Sequence, residues 1–453
     1  MTINLRKYLD SLNGIQLAES YGKVTQIVGL IIHGVGISAS IGDLCKIYGD
    51  GFGSRQRKEI DAEVVGFSDG RALFMPFGEI HGIKPSDRII STGRPLSILV
   101  GDRLLGRTLN AIGEPIDDAG PLWNQVGRDE IAPDVSRYPI HNPPPEPFQR
   151  KRIDEPLATG VRAIDGLLTL GKGQRVGIFA GSGVGKSVLM GMIARNTTAD
   201  VNVIALIGER GREVRDFIEK DLGEEGLSRS VIVVATSDQP PLIRAIGAST
   251  AMAVAEYFRD QGKDVLLMMD SVTRYAMAER EIGLAAGEPP TTKGYTPSVF
   301  AKLPKLLERA GTTLDRGTIT GLYTVLVEAD DMNDPIGDSA RSILDGHIEL
   351  SRDLAIRNHY PAIEITHSIS RLMADIAKPE HKNAAANLRE TLAIYSDAKD
   401  LIDIGAYTPG SSPKIDYALE NIDAINGYLR QPVEERVGFE DTVSKLINLL
   451  PQA

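Results

Sequence analysis

The chain has 453 residues and a net charge of −11, from 50 Lys and Arg against 61 Asp and Glu. That length predicts two to four domains with cores that need no disulfide or metal staple. The acidic balance argues against bulk binding to nucleic acid or an anionic bilayer, and a single cysteine, Cys45, excludes an internal disulfide and a cysteine-clustered zinc site.

In chain order, Leu5, Tyr8, Leu9 and Leu12 fall at helical spacing, which predicts one short amphipathic helix within residues 1–18. It either docks on the neighbouring domain or serves as a segment for a partner or a membrane surface. Asp10 stands where a signal peptide needs its apolar region, and no apolar run approaches the ~20 residues of a membrane span. A reducing cytoplasm is the simplest compartment. Residues 19–96 carry short β-branched runs (Val24 to Ile32, Ile37 to Tyr48, Val64 to Phe74) punctuated by Gly, Asp and Ser, the pattern of a small β-barrel or sandwich. Residues 97–152 read as the linker or strap at the front of a nucleotide-binding domain over 97–375: first the turn-rich GRTLNAIGEPIDDAG, then NPPPEPFQRKR (Asn142 to Arg152), a proline-dense strap between modules.

From about 153 to 375 apolar runs recur between helix-like segments: Arg175 to Phe179, Val203 to Ile207, Val231 to Ala235, Val265 to Met269 and Thr318 to Val327. That alternation predicts an α/β domain with a doubly wound parallel sheet. After residue 376 only helical spacing remains, in Leu388, Leu392 and Tyr395, in Ile415, Leu419 and Ile422, and in Phe439, Val443, Leu446, Ile447 and Leu450. Residues 376–453 therefore read as a C-terminal helical domain.

The strongest chemical signal is AGSGVGKS, Ala180 to Ser187, between the strand-like RVGIF and the helix-like VLMGMIAR. A strand, a glycine-rich loop and a helix form the context of a phosphate-binding loop. Gly181, Ser182, Gly183, Val184 and Gly185 supply backbone N–H groups around a phosphate, and the helix adds its positive end. Lys186 supplies a point charge for the β- and γ-phosphates, and Ser187 a hydroxyl for Mg²⁺. The strict pattern opens on glycine; this chain has Ala180 there.

Asp270 ends the apolar run VLLMM, where a carboxylate either holds Mg²⁺ or caps a turn. Paired with the loop, the metal reading prevails. Glu209, in GERGREV after VIALI, sits where sheet ligands bind and can polarise an attacking water; a solvated charged loop is the alternative. Arg371 closes HYPAIEITHSISR and is either an arginine finger or a surface residue. Tyr360, held extended by the following proline, is either core or a stacking surface for adenine. The seven histidines show no metal-ligand spacing. The passage Ala286 to Gly311 is a long irregular loop leading into a helix.

Taken together, AGSGVGKS, GERGREV, LLMMDSVTRYAMAEREIGLAAGEPPTTKGYTPSVFAKLPKLLERAG and DDMNDPIGDSARSILDGHIELSRDLA with HYPAIEITHSISR resemble the type III protein-export ATPases. These are relatives of the catalytic subunit of rotary F-type ATP synthases. The text DLIDIGAYTPGSSPKIDYALE looks closer to the flagellum-specific enzyme than to the injectisome one. The resemblance implies a small N-terminal β-barrel, a central RecA-like phosphate-loop domain and a C-terminal helical domain. It implies ATP and Mg²⁺ as ligands, Glu209 as the catalytic glutamate and Arg210 as its phosphate-side neighbour. Asp270 becomes the acid of the metal site, Tyr360 the tyrosine on adenine, and Arg371 the arginine given by the next subunit. Ala180 is usual in the export branch. Phe439 falls near a second adenine-facing aromatic, and Glu288 to Tyr295 resembles the loops on the ring's inner face. The partners implied are further copies of the chain, a stator protein at the N-terminal segment, a central stalk, the export gate, and export substrates with their chaperones. Peripheral association with the cytoplasmic face of the inner membrane follows from those partners.

Because Lys186, Glu209 and Arg371 lie on one chain, identical copies can complete every site, and a homohexamer is the consistent assembly. The competing readings are an injectisome ATPase, a catalytic subunit of a rotary proton-translocating ATPase, a nucleic-acid motor and a nucleotide sensor. The acidic balance and the lack of clustered aromatics with Lys and Arg in residues 19–96 speak against the nucleic-acid motor.

Overall fold

The computed structural model describes residues 20–50, 57–123, 134–327 and 334–450. The helix expected within residues 1–18 lies outside them. The chain divides into two compact units, Met1–Leu96 with Ile282–Glu288, and Ser97–Glu281 with Pro289–Ala453.

In the first unit six antiparallel strands close into a barrel. They are β1 (Gly22–Val28), β2 (Ile31–Val35), β3 (Asp43–Asp50), β4 (Arg57–Ser68), β5 (Arg71–Pro76) and β6 (Arg88–Pro95), in the order β1-β2-β5-β4-β3-β6. Closure removes the exposed strand edges that an open sheet of this size would present. Val24, Ile32, Ile47, Val64, Phe74 and Ile89 fill the interior. The bore is narrow: a Cβ on Gly34 would stand 2.4 Å from Ile89 Cδ1 and 2.8 Å from Phe74 Cε2. Cys45 is buried among these side chains, and burial pushes its thiol up to about 11, so it stays an unreactive core residue.

The second unit opens on β7 (Ser97–Val100), β8 (Thr108–Asn110) and β9 (Ser136–Pro139), where β7 pairs with β9. A two-residue pair follows, β10 (Pro156–Leu157) with β11 (Leu170–Gly171). The main strands are β12 (Arg175–Ala180), β13 (Val201–Ile207), β14 (Ser230–Ala235), β15 (Asp264–Asp270), β16 (Gly311–Thr312), β17 (Thr318–Leu326), β18 (Gly346–Leu350) and β19 (Ile369–Ser370). Among the described residues they form one sheet in the order β19-β18-β12-β17-β15-β13-β14-β8, with β16 beside β17. All neighbours are parallel except β19 on β18 and β16 on β17. The five expected apolar runs are β12, β13, β14, β15 and β17. Every residue of β13 is buried, as expected of a strand covered on both faces.

Residues 97–152 are built into the second unit. β8 pairs in parallel with β14 and extends the sheet, and Arg107 grips Asp117 through two nitrogens to fold the turn-rich passage back. The strap is pinned as well. Asn142 Nδ2 donates to Glu256 Oε2 at 2.7 Å, and the buried Arg309 donates to both oxygens of the same carboxylate at 2.8 Å. Three helices, Pro379–Asp403, Pro413–Leu429 and Phe439–Ile447, end the described chain, with Leu388, Ile425, Tyr428 and Leu446 in one core with Ile164 and Leu167.

Removing one partner of a buried ion pair leaves a charge that nothing compensates. Arg309→Met is expected to cost about 3–5 kcal/mol, and adding Glu256→Leu to recover most of it, as read from denaturant or thermal unfolding.

Candidate functional site

The glycine-rich loop leaves β12 and turns into the helix Lys186–Asn196, with Gly183 and Gly185 at φ +78° and +90°. A side chain at Gly185 would be strained, and its Cβ would also lie 3.4 Å from Tyr360 Cε1. The loop, the GER segment after β13 and Asp270 at the end of β15 thus lie at the C-terminal ends of sheet strands, where α/β sheets bind ligands. They border a cleft of about 770 Å³.

Its centre is a knot of charge. Lys186 Nζ donates to Asp270 Oδ1 and stands 3.7 Å from Glu209 Oε1. All three side chains are largely buried, at 12%, 5% and 16% exposure. Burial, with Asp270 nearby, pushes Glu209 up to about 7; Lys186 opposes the shift, and a hydrogen bond with Glu213 adds to it. Glu213 is correspondingly lowered, chiefly by that same bond with Glu209.

The expected residues are not all brought together. Gly181, Ser182, Gly183, Gly185, Lys186, Ser187, Glu209, Arg210 and Asp270 line the cleft. Arg210 does so at the rim, its side chain 79% exposed and paired with Glu213. Val184 does not line it: its side chain is buried in the core, which leaves only its backbone to the loop. Tyr360 packs by Gly185 with its ring partly exposed, as a stacking surface requires. Phe439 stands edge-on to His381 at 6.1 Å and does not line the cleft. Pro289 to Lys293 is exposed above the buried Tyr295, over whose ring Arg280 lies.

Arg371 is absent from the cleft of its own chain. It follows β19 at the sheet edge, its backbone N–H on Asp345 O and its exposed side chain near Arg341 O. β19 pairs with Gly346 and His347, the first residues of β18, so Arg371 sits at the end of β18 away from the loop.

Two residues of the cleft and one behind it escaped the sequence reading. Thr324, fully buried on β17, donates to Asp270 Oδ1 at 2.7 Å. Arg274 lines the cleft with a buried Nε that has no hydrogen-bond partner among the described residues. A Cβ on Gly208 would stand 2.8 Å from Arg274 Cβ, so the glycine of GER makes room for that arginine. Arg352, the first residue of the helix Arg352–Ile356, lines the cleft too. The text SVTRY, just after Asp270, was the available signal for Arg274; nothing in one sequence marks Thr324.

The donors fit a magnesium triphosphate. Ser187 and Asp270 offer hard oxygens of the kind Mg²⁺ takes. Arg274 and Lys186 are cations of the kind that phosphate oxygens take, and Lys186 pairs with Asp270 and Glu209.

The chain resembles known proteins along nearly its whole length. Residues 160–370 match the nucleotide-binding domain of the ATP synthase alpha/beta family, and residues 24–93 its beta-barrel domain. Residues 377–448 match the T3SS EscN ATPase C-terminal domain. The chain is 53% identical to the flagellum-specific ATP synthase of Bacillus subtilis over 96% of this chain and 97% of that protein. It is 50% identical to the type 3 secretion system ATPase of Xanthomonas euvesicatoria over 97% and 96%. Among solved structures it resembles the assembled ATPase EscN of the enteropathogenic E. coli type III secretion system, with TM-score 0.84, 47% identity, and 94% of this chain and 99% of that one covered. EscN in complex with its central stalk EscO matches with TM-score 0.82 and 46% identity over the same shares.

Thr324→Val keeps the shape of the side chain and removes the hydrogen bond that aims Asp270. The Mg²⁺ concentration giving half-maximal ATP turnover is expected to rise roughly 10–100-fold, the usual cost of losing a residue that orients a metal ligand. A Mg²⁺ titration checks it, with the circular dichroism spectrum unchanged.

Proposed function

This chain belongs to the ATP synthase alpha/beta family, in the branch of the flagellum-specific ATP synthases and type 3 secretion system ATPases, and from that premise we propose that it hydrolyses ATP to energise type III protein export as a homohexameric ring. We assign the flagellar system, on the C-terminal text and the identity with the Bacillus protein. The observation that carries the ring is the place of Arg371: the chain has a finger arginine but holds it away from its own cleft. A second copy supplies that charge, and so a site is complete only between copies.

The chemistry follows from the residues. The phosphate loop and Lys186 hold the β- and γ-phosphates, and Tyr360 beside Gly185 offers its ring to adenine. Glu209, at the C-terminal end of the sheet, orients a water and accepts its proton as the water oxygen attacks the γ-phosphorus. The bond from that phosphorus to the β–γ bridging oxygen breaks, leaving ADP and phosphate. Charge developing on the transferred group meets Lys186, Arg274 and the next copy's Arg371. Ser187 and Asp270 would hold Mg²⁺, which would supply positive charge against that of the phosphates.

The relatives named above are a flagellum-specific ATP synthase and ATPases of type III secretion systems. On this reading a central stalk, as EscO is for EscN, the export gate, export substrates and their chaperones are partners. A stator protein at residues 1–18 is a further partner, and the working place is the cytoplasmic face of the inner membrane. No helix among the described residues is long and apolar enough to cross that membrane.

Turnover per chain, measured on the purified protein against its own concentration, is expected to climb as copies assemble. Bound ATP with negligible turnover at every concentration would mean that another chain completes the site. Glu209→Gln is expected to keep ATP binding and lose about 10²–10⁴-fold in turnover. Since Glu209 must be ionised to take a proton and is held up to about 7, kcat/KM for ATP is expected to fall as pH drops below that value, by about tenfold per unit. A pH profile that stays flat down to pH 5.5 would contradict this role.

A further inference from the structure

The two ends of the large sheet present different surfaces. The cleft lies at the C-terminal ends of the strands, and the strap Asn142–Arg152 crosses the N-terminal ends of β12 and β17. There Arg150 Nη1 donates to Ala310 O at 2.8 Å, Thr312 Oγ1 donates to Lys151 O at 2.6 Å, and Leu314 N–H donates to Gln149 O at 2.9 Å. Glu146 and Gln149 cap each other across the short turn Pro147–Gln149.

Phe148 lies in the middle of these anchors, and its side chain is 95% exposed. Leu314, bonded to the residue after it, is 57% exposed. On a loose terminus an exposed phenylalanine needs no explanation. On a turn fixed from both sides it is an apolar group presented at a set position, the arrangement of an interface anchor.

Its place identifies the occupant. A cavity of about 630 Å³ runs beneath the strap, lined by Arg150, Arg175 and Asp345 and by Leu372 and Asp375 from the segment just after Arg371. The strap and Arg371 therefore border one surface, at the end of the sheet away from the cleft. A closed ring of identical copies has head-to-tail interfaces, each joining one face of a copy to the opposite face of the next. If Arg371 reaches the next copy's cleft, the surface that carries it meets the surface around that cleft. That second surface is apolar in part: Ile356, which ends the helix whose first residue Arg352 lines the cleft, is 75% exposed.

We propose that Phe148, flanked by Leu314, is an anchor by which one copy of this chain seats on the cleft-bearing face of the next. The proposal rests on the ring reading above. Phe148 is not among the residues that line the cleft of its own chain, so it contributes to assembly and not to the reaction itself.

Sedimentation velocity or mass photometry of the full chain over a concentration series, with ATP and Mg²⁺ present, tests it. Phe148→Ala is expected to raise the midpoint of assembly about 30-fold, the factor that matches loss of an aromatic anchor. Phe148→Asp and Leu314→Asp are expected to raise it at least as far. Turnover of Phe148→Ala is expected to return to the wild-type value above its shifted midpoint. Wild-type and Phe148→Asp chains that assemble at the same concentration would overturn the proposal and leave the ring intact, as they would if Phe148 served a different protein. A wild-type chain that stays monomeric throughout would overturn the ring reading and the anchor with it.

Discussion

The site depends on one ammonium group held between two buried carboxylates. Lys186 lies against Asp270 and within 3.7 Å of Glu209. A cluster of two acids and one base, largely out of water, is costly unless each charge is met. The surrounding structure meets them one by one. Thr324 donates to Asp270, and the Glu209 carboxyl shares a hydrogen bond with Glu213, while burial keeps it near neutrality. Lys186 is thus paired within its own chain, with Asp270 and Glu209 as the acids that face it.

That arrangement exists only because the sheet is ordered as it is. Lys186, Glu209, Asp270 and Thr324 come from segments far apart in the chain. The order β12-β17-β15-β13 places the four strand ends side by side, and every pairing among them is parallel. β17 lies between the strand that carries the loop and the strand that ends in Asp270, so a threonine on it can reach the carboxylate. Glycine at position 208 lets Arg274 approach the same cleft.

Much of this was legible because burial writes itself into residue runs. β13 and β15 are continuous apolar stretches, and the barrel shows the shorter interrupted runs of strands with one wet face. The loop motif carries its own mechanics, so Lys186 and Ser187 were readable without coordinates. What stayed hidden was set by pairing across the sheet. β8 is three residues long and gains its place only from β14. Thr324 is one threonine in TITGLYTVL until β15 lies beside it. Val184 reads as part of the loop, yet its side chain belongs to the core. The strap Asn142–Arg152 looked like an unstructured connection because its anchors are distant: Glu256, Ala310, Thr312 and Leu314.

The separation of Arg371 from its own cleft turns a property of one chain into a property of the assembly. The most direct measurement mixes two inactive chains, Lys186→Ala and Arg371→Ala. The first keeps the finger and the second keeps the loop. If sites form between copies, the mixture recovers turnover at about a quarter of its interfaces, the share expected from random mixing. A mixture that co-assembles and stays as inactive as either chain alone would contradict the account.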